Sequence, residues 1–210
     1  MQASDETGFV LAHTAPDRAG LVPSIVLHLA REPLGVFAAA DAVGARQPYW
    51  AFAWPGGQAL AKAILDAPGL VTGRCVLDIG AGSGIAAIAA LKAGAAAATA
   101  NDTDPCACAA ARLNAAANDV PLDISDEDLL DAELQADVLI VGDLIYDPAV
   151  ARRVKALLVR AGEQGALVLF GDRATSPPPI DMTLLSSYAA PLTPALETDY
   201  MESGCVWRLT

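Results

Sequence analysis

The sequence predicts an α/β fold: a doubly wound, mostly parallel sheet with helices on both faces. Two observations carry this prediction. Short apolar runs of strand length alternate along residues 74–170 with longer, alanine-rich runs of helical character, as a parallel sheet with crossover helices requires. One of those strands runs straight into the turn VLDIGAGSG (76–84), with Gly80, Gly82 and Gly84 at alternate positions. Glycine lets a backbone pass close to a ligand that a Cβ would push away, and the helix after the turn offers unsatisfied N–H groups.

Residues 1–15 read as a lead-in or a short edge strand. Residues 16–32 carry Ile25, Val26, Leu29 and Ala30 at helical spacing behind Pro23 and Ser24, so a helix is expected there. His28 within it reads as a surface or satisfied core residue. Residues 49–58 (YWAFAWPGGQ) place four aromatics in six residues before a Pro-Gly-Gly turn. That cluster suits either the wall of a pocket or a hydrophobic clamp over one end of the sheet. A helix is expected over 58–66, stopped by Pro68 and Gly69.

The strand and helix alternation then gives strands at 74–78, 96–101, 122–125, 137–141 and 166–170, with helices at 83–93, 105–118 and 148–161. Asp104 and Asp147 are placed to cap helices that begin at Pro105 and Pro148. Residues 176–179 read as a loop, and 184–189 and 205–209 as two last strands.

The chain has 13 basic and 25 acidic residues, a net charge of −12. Such a surface repels phosphate backbones and argues against a nucleic-acid substrate. No apolar run approaches a membrane span, and the start MQASDETGF has no basic leader, so a cytoplasmic location is expected. Cys75 and Cys205 lie in strand-like runs and read as core. Cys106 and Cys108 have one residue between them, not the two of a redox or zinc pair, so no disulfide and no metal is expected.

Ligands of parallel sheets bind beyond the C-terminal ends of the strands. There the chain places Asp78, Asp102, Asp126 and Asp143. A dinucleotide fingerprint would need a glycine at position 85, where this chain has Ile85, which disfavours a nicotinamide-dependent oxidoreductase. Asp78 suits a cationic amino group better than a pyrophosphate. The pattern D-x-G-x-G-x-G resembles motif I of the class I S-adenosylmethionine methyltransferases. Gly80 and Gly82 then let the cofactor lie over the turn, and Asp78 sits near its methionine moiety. Asp102, about 20 residues on, is placed to accept both ribose hydroxyls. The acidic run from Asp126 to Asp128 flanks the adenine or forms a solvated loop.

After the fourth predicted core strand comes GDLIYDP (142–148). Base-amine methyltransferases carry Asn/Asp-Pro-Pro-Tyr at this point; here Leu144 and Ile145 replace the prolines and leave D-x-x-Y. Asp143 is placed to hold an amine by hydrogen bonds, and Tyr146 to stack on its stem or cation. This placement resembles the seven-β-strand protein lysine methyltransferases. LVPSIVLHL, YWAFAWPGGQAL, VLDIGAGSG, ANDTDP, RLNAAAN and GDLIYD together look like the subgroup that methylates the β subunit of electron-transfer flavoprotein. The resemblance implies seven strands in the order 3-2-1-4-5-7-6, a cofactor wall that includes Trp54, Gly56 and Gln58, and a protein substrate. At 210 residues the chain is one domain or a domain with a modest extension, and a methyltransferase domain over 49–210 is expected behind an N-terminal helical extension, 1–48. Ile145 stands where that subgroup leads one to expect an aromatic. The sister family that methylates ribosomal protein L11 shares the glycine-turn and second-strand patterns, but has an Asn-containing segment after strand four that this chain lacks. A small-molecule amine methyltransferase and a non-catalytic cofactor-binding domain are the competing readings.

Overall fold

The computed structural model describes residues 3–190 and 202–209; the first two residues of the lead-in lie outside them. The chain opens with α1 (Ala3–His13), β1 (Thr14–Arg18), β2 (Val26–Ala30) and α2 (Pro33–Ala42). A 3-10 turn (Tyr49–Ala51) leads into α3 (Pro55–Asp66) and then β3 (Cys75–Ile79), α4 (Ile85–Lys92), β4 (Ala97–Asn101) and α5 (Pro105–Ala117). β5 (Asp123–Ser125), β6 (Val138–Gly142), α6 (Pro148–Glu163), β7 (Leu167–Arg173), β8 (Thr183–Ala190) and β9 (Glu202–Arg208) follow.

The main sheet has seven strands in the order β5-β4-β3-β6-β7-β9-β8. The five strands from β3 to β7 run parallel, and β9 is antiparallel to both β7 and β8. Counted within this sheet alone, that order is 3-2-1-4-5-7-6. Because side chains alternate across a strand, each central strand feeds two cores. Val76, Val138, Ile140 and Leu169 pack with Leu60, Ile64 and Ile88 on the face covered by α3 and α4. Leu77, Leu139, Val141 and Phe170 pack with Val154, Leu157 and Leu158 of α6 on the other. The caps fall where the sequence puts them: Asp104 accepts the Cys106 amide, and Asp147 those of Ala149 and Val150.

Residues 26–30 correct the helical reading of the N-terminal segment. They form a strand, paired antiparallel with β1 from Thr14↔Ala30 to Arg18↔Val26. Ile25, Leu27 and Leu29 are buried at alternate positions and join the α3–α4 core. The apolar run fits both periods, and the available partners decide between them. Those partners include two side chains four residues apart, Asn114 of α5 and Asn118 just after its end. Asn118 Oδ1 accepts the Val26 amide and its Nδ2 donates to the Val26 carbonyl. Asn114 Oδ1 accepts the His28 amide at 2.6 Å, while its Nδ2 donates to the Ser83 carbonyl in the glycine turn. The two asparagines of RLNAAAN thus pair with β2 as a neighbouring strand would.

The lead-in is also mostly helix, α1, rather than an edge strand. Cys75 is exposed and not core, because it is the first residue of β3 and stands at the rim of the sheet. Cys205 is buried, as expected.

Candidate active site

A cavity of about 700 Å³ opens at the C-terminal ends of the parallel strands. The glycine turn after β3, the loop after β4, the loop after β6 and the aromatic segment before α3 form its walls. It gathers seven of the ten residues singled out from sequence: Trp54, Asp78, Gly80, Gly82, Asp102, Asp143 and Tyr146.

Each wall has a local cause. Gly80, Gly82 and Gly84 all have positive φ (69°, 51° and 76°), a conformation that bends the chain sharply from β3 into α4. A Cβ on Gly82 would meet only the Cα of Trp50, at 3.7 Å, so the turn leaves open space for a ligand there, whereas at Gly80 a Cβ would lie 2.7 Å from the Leu144 side chain. The Asp102 carboxylate braces the turn. It accepts the Gly82 amide at 2.9 Å through one oxygen and the Asp104 amide at 2.9 Å through the other. Trp54 is held in place by its indole N–H, which donates to the Tyr49 carbonyl at 2.7 Å, and by edge-on contact with the Tyr49 ring.

Burial sets the electrostatics. The Asp78 carboxyl is pushed up to about 7, first by desolvation, while the Ala87 amide that it accepts pulls the other way. Asp102 is raised by burial against the pull of its two amides and of Arg46. Asp143 is also pushed up to about 7, by burial and by Asp172, against the Gly57 and Gly56 amides and Arg173. Cys106 and Cys108 are raised to about 11 by burial, so both remain thiols at neutral pH and are poor nucleophiles.

Comparison with known proteins names the chemistry. The family model described as ribosomal protein L11 methyltransferase (PrmA) matches residues 61–170. The electron transfer flavoprotein beta subunit lysine methyltransferase of Xenopus laevis is 40% identical over 174 residues, covering 78% of this chain and 68% of the relative. The chain belongs to this methyltransferase family. The Danio rerio member is 41% identical over 128 residues, and there the match covers about half of the relative's length. Among solved structures, the ribosomal protein L11 methylase of Lactobacillus delbrueckii subsp. bulgaricus superposes with a TM-score of 0.53 over 73% of this chain and 78% of its own, at 22% identity. At that identity the likeness is one of fold.

Methyltransferases of this family draw on S-adenosylmethionine, and the cavity fits that cofactor. Its glycine turn is open at Gly82, and carboxylates stand at the ends of β3 and β4. Asp78 would hold the amino group and Asp102 the ribose; bound there, the cofactor would supply an electrophilic methyl group. The family's remaining residues fall differently from the sequence reading. Gly56 is not on the cavity wall. A Cβ there would lie 2.7 Å from backbone atoms of Gly171 and Asp172, so this glycine lets α3 press against β7. Gln58 is buried behind the wall, where its amide accepts from Leu21 N and donates to Ala53 O. Asp126 is exposed and outside the cavity; Asp128, two residues on, lines it instead.

The sequence did not single out Tyr49, Arg46, Asn101 or Arg173, all of which line the cavity. Two of them carried a signal: Tyr49, as the first ring of the aromatic cluster, and Asn101, within ANDTDP. Asp143 carries a role not expected of it. Its two oxygens accept the Gly56 and Gly57 amides at 3.1 and 2.7 Å, which caps α3 from across the cavity. A carboxylate offers about four lone-pair sites, so acceptor capacity remains for an incoming amine.

Proposed function

We propose that this chain transfers a methyl group from S-adenosylmethionine to a lysine amine of the β subunit of electron-transfer flavoprotein. The observation that carries the reading is the D-x-x-Y segment at the cavity, in a chain 40% identical to a relative named for that reaction. The chemistry is a displacement in which the amine nitrogen gains the methyl group and loses a proton. The protein's part is to align a neutral amine in a dry site. Asp143 holds and desolvates the nitrogen. With a carboxyl near neutrality, Asp143 or water accepts the proton. Tyr146 packs on the alkyl stem. The net charge of −12 supports a basic protein face over nucleic acid as the substrate surface. The cytoplasm is the proposed compartment, supported by four free cysteine thiols.

The test is to incubate the chain with methyl-labelled S-adenosylmethionine and the purified flavoprotein β subunit, then map the label by mass spectrometry. Label on a lysine is the expected result. An unlabelled subunit beside a methylated small amine would move the function to small-molecule methylation.

A further inference from the structure

The mouth of the cavity holds a contact that the D-x-x-Y motif does not contain. The Tyr146 ring lies 5.5 Å from the ring of Tyr49, at an interplanar angle of 55°. The two come from distant parts of the chain, one from the loop after β6 and one from the 3-10 turn before α3. Both line the cavity, and both are open to solvent, at 41% for Tyr49 and 65% for Tyr146. Exposed aromatic rings are unusual in a chain that is 5% aromatic. Tyr49 is anchored on its inner side by edge-on contacts to Phe37 at 6.3 Å and Trp54 at 5.9 Å, so its ring is set before any ligand arrives. Carboxylates of Asp102 and Asp143 lie in the same cavity. Of the cations that line the cavity, Arg46 donates to Thr103 Oγ1 and Arg153 pairs with Asp128 and Asp131.

We infer that Tyr49 is a specificity-determining residue, forming with Tyr146 an aromatic lip that receives the stem and cationic head of an alkylammonium substrate. The inference rests on the lysine reading above and extends it to a residue outside the motif. A tilted pair of rings gives a continuous π surface along which an unbranched alkyl chain slides. Its negative faces favour an ammonium over an anion or a neutral polar group. A methylated ammonium keeps its charge and gains apolar surface, so the same lip also holds partly methylated product for another round.

The test uses n-butyltrimethylammonium, titrated by NMR into the full chain saturated with S-adenosylhomocysteine. Tyr49→Ala should weaken its binding about tenfold and Tyr49→Phe by less than about twofold, the scale of a desolvated cation–π contact. Affinity for S-adenosylhomocysteine should stay within about twofold in Tyr49→Phe, which keeps the ring against Trp54, and should fall by less than the cation affinity in Tyr49→Ala. Should Tyr49→Ala fail to fold, Tyr49→Leu keeps apolar contact with Phe37 and Trp54 and is held to the same expectation. Unchanged cation binding in the folded variant, no binding by the wild type, or a parallel loss of cofactor affinity would each overturn the inference. A wild type that leaves the flavoprotein subunit unmethylated, while cation binding still depends on Tyr49, removes the proposed substrate and supports the lip.

Discussion

Asp143 combines a left-handed backbone, at φ 50°, with a carboxylate that takes two amides of α3. Replacing it by alanine strands both N–H groups, so we expect a lower melting temperature, by about 1–3 kcal/mol of stability. If Asp143 also holds the amine, turnover per folded molecule falls in the same variant while cofactor affinity stays near that of the wild type; single-turnover kinetics beside calorimetry separate the two effects. Asp102→Ala should weaken S-adenosylmethionine by about 1.5–3 kcal/mol, because it removes a charged acceptor and the brace of the Gly82 amide. Unchanged calorimetric affinity would take Asp102 out of the ribose role. Asp78 gives a pH prediction. Its folded carboxyl titrates at about 7 and its unfolded one at the ordinary 3.8, so the folded state binds the extra proton between those values. Stability therefore falls as pH rises from about 4 to about 7, then levels off. Asp78→Asn, which keeps an acceptor for the Ala87 amide, should lessen that slope, Asp143 keeping its own share, and raise the melting temperature above pH 7.

At the scale of elements, α3 connects the aromatic segment to the sheet. Its first turn is stripped of side chains at Gly56 and Gly57, so that it meets β7 on one side and the Asp143 carboxylate on the other. Gly56→Ala puts a methyl group 2.7 Å from the Gly171 carbonyl, and backbone there has little room to give. We expect a loss of at least about 1–3 kcal/mol, the range for overpacking, together with a displaced Trp54 and weaker cofactor binding. A chemical melt showing Gly56→Ala as stable as the wild type would mean that α3 shifts freely on the sheet. α5 shows a different kind of coupling. Asn114 joins β2 to the glycine turn through one side chain, so the N-terminal sheet and the cofactor loop share a support.

On the whole-molecule scale, this sharing bears on the N-terminal segment. Ile25, Leu27 and Leu29 belong to the same core as α3 and α4, and the Gln58 side chain is tied to Leu21. Removing residues 1–48 uncovers that core and leaves Asn114 and Asn118 without the β2 backbone. We expect the remainder to show no cooperative thermal transition by circular dichroism. A sharp melt near that of the full chain would instead show an independent domain over 49–210.

The sequence by itself determined the parallel sheet, the glycine turn, the helix caps at Asp104 and Asp147, and a row of acidic residues at the strand ends. Each rests on neighbours in the chain: apolar runs of strand or helix length, φ-permissive glycines, and an aspartate directly before a proline. The seven-strand order rested on family resemblance and is seen in the sheet. Tertiary structure decided what short-range pattern leaves open. It made residues 26–30 a strand, since Asn114 and Asn118 lie 86 and 92 positions from the amides they pair with. It placed Asp128 rather than Asp126 on the cavity, and it turned Gly56 and Gln58 into packing residues behind the wall. It brought Tyr49 against Tyr146 across nearly half the chain. Local propensity acts over a few residues, whereas a cavity wall is assembled by loops that meet only after the sheet has formed.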